Sequence, residues 1–109
     1  MIARIWHGYT TIENAQAYEN LLKHEIFEGI AEKKMVGYRG IQLLKRALEN
    51  EMEFTTIMWF DNIEDVKQFM GEYYETSFVL PQAQKLLQRY DKKSIHCELL
   101  HELKYQPKL

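Results

Sequence analysis

Seven consecutive residues, Phe54-Thr55-Thr56-Ile57-Met58-Trp59-Phe60, constrain the fold more than any others. As an extended strand they place Phe54, Met58 and Phe60 on one face and Ile57 and Trp59 on the other. Residues 38–48 repeat the problem, with Ile41, Leu43 and Ala47 on one face and Leu44 and Leu48 on the other. An antiparallel sheet with one wet face alternates apolar and polar residues cleanly, and this one does not. Burying each large apolar side chain stabilises by about 1.5–3 kcal/mol, and isolated chains rarely leave such side chains clustered in water. Both faces of the sheet therefore need a cover.

The rest of the chain supplies a cover for one face only. Ile2 to Tyr9 reads as a first strand, and Thr10 with Glu13 makes a capping pattern. Ala15, Tyr18, Leu22, Ile26 and Ile30 then recur at helical spacing. Gly37 and Gly40 precede a second strand, about 38 to 48. The polar turn Glu49-Asn50-Glu51 joins it to the third strand, about 53 to 60, as a hairpin. Asp61 or Asn62 caps a second helix with the stripe Ile63, Val66, Phe69 and Met70, and Gly71 stops it. Pro81 opens a short helix with Ala83, Leu86, Leu87 and Tyr90 inward. A last strand runs from about Ser94 to Tyr105. The order is βαββαβ, and right-handed crossovers put both helices on the same side of a four-stranded antiparallel sheet. This predicts a ferredoxin-like α+β sandwich whose second face is covered by another copy of the chain, most simply as a two-fold homodimer.

Composition fits one such unit. The chain has 109 residues, 46% hydrophobic and 28% charged, enough apolar surface for a single core. With 14 Lys+Arg against 16 Asp+Glu and no basic stripe, neither nucleic acid nor an anionic membrane surface is expected as a partner. No apolar run approaches the length of a membrane span. The single cysteine, Cys97, cannot form an internal disulfide and reads as a small apolar core group, and the chain reads as cytoplasmic. There is no Gly-rich phosphate loop or dinucleotide fingerprint. No His-x-x-x-His or Cys-x-x-Cys spacing is present, so no metal is expected.

Arg4-Ile5-Trp6-His7-Gly8 resembles the Arg-x-Trp-x-Gly start common in the antibiotic biosynthesis monooxygenase family, within the dimeric α+β barrel superfamily. Tyr18, Trp59, Phe69-Met70-Gly71-Glu72 and His96 also stand where relatives carry similar residues, so the resemblance spans residues 1–109 as one domain. Two positions depart from it: Met70 replaces a small residue and Cys97 replaces a tyrosine. A haem-degrading branch of the superfamily uses an Asn in strand one and a His in helix two. Trp59 matches its tryptophan, but strand one has no Asn and residues 62–90 have no His, which disfavours haem cleavage.

The resemblance implies oxygenation without metal or flavin, in which an acidic phenol or anthrone is deprotonated and reduces dioxygen. Such a protein must hold a flat apolar substrate, relay a proton and stabilise an oxyanion. Trp6, Tyr18, Trp59, Phe69 and Tyr73 are the expected lining of a cleft between sheet and helices. His96 is the expected base, with Trp59 beside the chemistry, and Arg4 holds an oxyanion or phenolate. Each residue has a plainer reading: the aromatics as core, His96 as a surface or hydrogen-bonded histidine, Arg4 as half of an ion pair. A small-ligand-binding dimer without catalysis, or a dimer with no ligand at all, fits the same residues.

Overall fold

The computed structural model describes residues 1–108 and folds them as an α+β sandwich of the ferredoxin-like type. Strand β1 (Ile2–Thr10) leads into a helical run over residues 15–32: α1 (Ala15–Leu21), a π-helical turn (Leu22–Ile26) and α2 (Phe27–Glu32). Strands β2 (Tyr38–Ala47) and β3 (Met52–Phe60) form the hairpin, and α3 (Ile63–Met70) and the single turn α4 (Pro81–Gln84) follow. The last strands are β4 (Leu87–Tyr90) and β5 (Ile95–Glu98). The sheet is antiparallel in the order β2-β3-β1-β4, with β5 also on β1.

Five local expectations are corrected. The N-terminal helix is not capped by Thr10, whose hydroxyl donates to the Thr11 carbonyl; it begins at Ala15 after Asn14. Leu87 and Tyr90 are not helical. The α4 turn stops at Gln84, and residues 87–90 pair with Thr10, Tyr9 and Gly8 of β1. The fourth strand position is thus shared by β4 and β5, separated by residues 91–94, and the sheet has five strands. The last strand ends at Glu98, and residues 99–108 have no regular structure and lie exposed. Cys97 is exposed rather than buried, because it pairs with Ala3 on the face away from the helices.

Other signals act as expected. The Asn62 side chain accepts a hydrogen bond from Asp65 N (3.0 Å) and caps α3, while Gly71 ends it with φ 86°, a conformation that favours glycine. The helices cover the face bearing Phe54, Thr56, Met58 and Phe60 of β3, all buried. Two apolar clusters form there. One gathers Ala15, Tyr18, Leu22, Phe54 and Ala83; the other gathers Met58, Phe60 and Val66. The opposite face carries Ile5, Ile57 and Trp59, half-buried, with Leu44 and Ile95 more than half exposed. No helix among the described residues is long and apolar enough to cross a membrane.

Candidate functional site

Between the two clusters lies a cavity of about 650 Å³, roofed by the helical run and by residues 77–83 and floored by the sheet. Its floor follows from strand register. One cross-strand row reads Leu43, Thr56, Trp6; the next reads Ile41, Met58, Arg4, His96. Directly opposed side chains in such rows are neighbours, so Arg4, Trp6 and Thr56 share one patch of floor.

Trp6 lies along the sheet because Gly8 leaves room for it. A Cβ on Gly8 would stand 2.6 Å from Trp6 Cη2 and 2.9 Å from Leu87 Cδ2. The indole Nε1 donates to the Asp91 carbonyl (2.9 Å), and the ring tilts against Tyr90. The residues Arg4, Trp6 and Gly8, two apart in sequence, therefore form one structural unit on one face of β1. The π turn shapes the roof. The Phe27 N–H bonds to the Leu22 carbonyl, one residue further back than in an α-helix. The extra residue lets both Ile26 and Phe27 line the cavity.

Arg4 is only 5% exposed. Its Nη1 donates to the Tyr74 carbonyl (2.6 Å) and to His96 Nε2 (2.8 Å), and its Nη2 to the Thr76 carbonyl (3.3 Å). Because a guanidinium can only donate, Nε2 must accept, and the ring proton of His96 sits on Nδ1. Burial first, and the Arg4 charge second, hold His96 below its ordinary 6.5, which keeps it neutral. Burial alone lowers Arg4 from the usual guanidinium range to about 10. Tyr18 is 1% exposed, and burial raises its phenol above the usual range. Its hydroxyl, and those of Thr56 and Ser94, make no hydrogen bond to the described protein. Since no enclosed side-chain oxygen lacks a partner, these three hydroxyls border open space.

Of the residues expected at a site, Arg4, Trp6, Tyr18 and Phe69 line this cavity. His96 is on the same face of the sheet but behind Arg4, edge-on to Tyr74 at 5.3 Å, and forms no part of the wall. Trp59 is not in the cavity. Strand alternation turns it to the opposite face, where Nε1 donates to Gln42 Oε1 (3.0 Å). Tyr73 is 75% exposed on the turn after Gly71, and the next residue, Tyr74, is the one that faces Arg4 and His96. Thr56 and Ser94 were not foreseen. Thr56 had a signal, since it is the one polar residue on the buried face of β3. Ser94 had none, because its position depends on the break between β4 and β5.

The fold is similar to that of a solved Bacillus cereus protein provisionally named an antibiotic biosynthesis monooxygenase, with a TM-score of 0.68 over 97% of this chain and 98% of that one. Sequence identity is 13%, so the likeness concerns the fold. No family model matches the sequence. No curated protein matches it either.

Proposed function

We propose that the chain is a cofactor-independent monooxygenase-like protein acting on a small aromatic or quinol-type compound held between the helices and the sheet. The observation that carries this reading is the cavity of about 650 Å³, within the size range of small-molecule sites, with aromatic walls and one buried guanidinium in its floor. The resemblance of Arg4-Ile5-Trp6-His7-Gly8 to the monooxygenase family supports it, as does the shared fold. In this reading Trp6, Tyr18 and Phe69 hold the aromatic body and Arg4 holds the oxygen that becomes anionic. His96 orients Arg4, and the free hydroxyls of Tyr18, Thr56 and Ser94 are the groups placed to pass a proton. A second copy of the chain covers Ile5, Ile57, Trp59, Leu44 and Ile95, so Trp59 belongs to that interface rather than to the chemistry.

One observation favours a second reading, a ligand-binding dimer without catalysis: the nitrogen expected to act as base is already engaged by Arg4. Oxygen uptake with hydroxylated polycyclic aromatics, in metal-free and flavin-free buffer, separates the two. Uptake supports the enzyme, whereas thermal stabilisation by the same compounds without uptake leaves the binding protein. Sedimentation tests the dimer, with a shift to the 13.1 kDa monomer expected on Ile57→Lys.

A further inference from the structure

Resting on the reading of the cavity as a ligand site, we propose that it takes its ligand as an organic monoanion: a flat apolar body with a carboxylate, enolate or phenolate oxygen on Arg4. The argument is a charge balance. Arg4 is buried, and its three protein partners are two backbone carbonyls and a neutral imidazole. None of the ion pairs among the described residues includes it. The exposed arginines differ: Arg39 is paired with Asp61 and Arg89 with Glu51, and each carboxylate raises its partner's pKa. Arg4 has only burial acting on it. A buried charge without a counter-ion is costly, and an anion delivered by the ligand removes that cost.

Hydrogen-bond geometry agrees. A guanidinium has five N–H groups, and Arg4 uses three, leaving Nε–H and one Nη2–H. Nε has no protein partner and is not fully enclosed, and Arg4 is part of the cavity lining. Two adjacent N–H groups form the fork that matches a carboxylate or a chelating enolate. Tyr18, Thr56 and Ser94 add three hydroxyls without protein partners on the wall of the same cavity. The carboxylates nearby do not fill the role. Glu25 is exposed on the wall, which also carries Lys33, and exposed Glu75 acts on His96.

The test compares 2-naphthoate with 2-naphthamide, nearly identical in shape and different in charge, by calorimetry on the full chain. Hydrogen bonds to a charged group favour the naphthoate by about tenfold or more. Arg4→Met is expected to abolish that preference, and Arg4→Lys to keep part of it. Should Arg4→Met not fold, 2-naphthol binding to the wild-type chain replaces it, with affinity rising as pH approaches the phenol's own ionisation. Equal or tighter binding of the amide, a preference that survives Arg4→Met, or a pH-independent naphthol affinity overturns the proposal. Anion-selective binding without oxygen uptake removes the catalytic reading and leaves this one standing. Failure of both naphthalene probes to bind overturns both.

Discussion

The helix-covered side of the sheet is built differently at its ends and in its middle. At one end Tyr18 meets Phe54 edge-on with ring centroids 4.9 Å apart. At the other, Phe60 sits 5.6 Å from Tyr38 and 6.1 Å from Phe69. Between them the same strands carry Arg4, Trp6 and Thr56, and the helical run above carries a π turn and Gly29. The ends are packed with rings, while the middle is hollow and holds a buried charge. Ring packing and the buried charge thereby fall on different rows of one sheet, with Tyr18 and Phe69 reaching from the packed ends to the cavity wall, so a change in one row of the sheet need not be felt in the other.

The largest effect that would test this division is at the ends. Phe54→Ala or Phe60→Ala removes a fully buried ring and is expected to cost about 3–5 kcal/mol in urea unfolding. Thr56→Val in the middle, which exchanges a hydroxyl without a protein partner for a methyl, should change stability by less than about 1 kcal/mol. Similar costs at both sites would break the comparison. Next in size is Gly8→Ala, which drives a methyl into Trp6 and Leu87 and is expected to cost about 1–3 kcal/mol. In a Trp59→Phe background, where Trp6 is the remaining tryptophan, a shifted emission should accompany that loss.

The middle also contains a residue at which stability can be gained. A Cβ on Gly29 would meet nothing within 4 Å, and helix propensity favours alanine there by about 0.5–1 kcal/mol. Gly29→Ala should raise the unfolding midpoint accordingly, and an unchanged or lower midpoint would show that the roof is tighter than described. The smallest effect concerns pH. His96 titrates below its ordinary 6.5 in the folded chain, so the unfolded chain takes up its proton first as pH falls. The stability contributed by neutral His96 is complete above 6.5 and is lost as pH drops from there through the lowered folded value. Protonation also ends the bond from Arg4, because both partners would then be donors. His96→Gln keeps an acceptor without titrating, and its urea midpoint should fall less steeply on the acid side of 6.5 than that of the wild-type chain.

The sequence made the ends legible and the middle only partly so. Period-two and helical spacings of large apolar residues located β1, β2, β3 and α3, because burial alone decides such patterns. Arg4 and Trp6 were legible as candidates through the spacing shared with Gly8. Trp59 and Tyr73 were grouped with the site by residue type, although alternation along β3 already placed Trp59 with Ile57 and away from Phe60. The turn to β4 was hidden because Leu86, Leu87 and Tyr90 also fit a helical stripe. Pairing with β1, a tertiary effect, decided the matter. His96 was recognised as important for its ordinary titration near neutrality, yet its place is set by Arg4, ninety-two residues earlier, which no local pattern records.

The most direct test of the account is a crystal structure of the chain with 2-naphthoate bound. The account predicts the naphthalene rings between the helical run and the sheet, against Trp6, with the carboxylate on the free N–H groups of Arg4. A ligand bound elsewhere, or a cavity closed by Phe27 and Ile30 with Arg4 turned away from it, would contradict it.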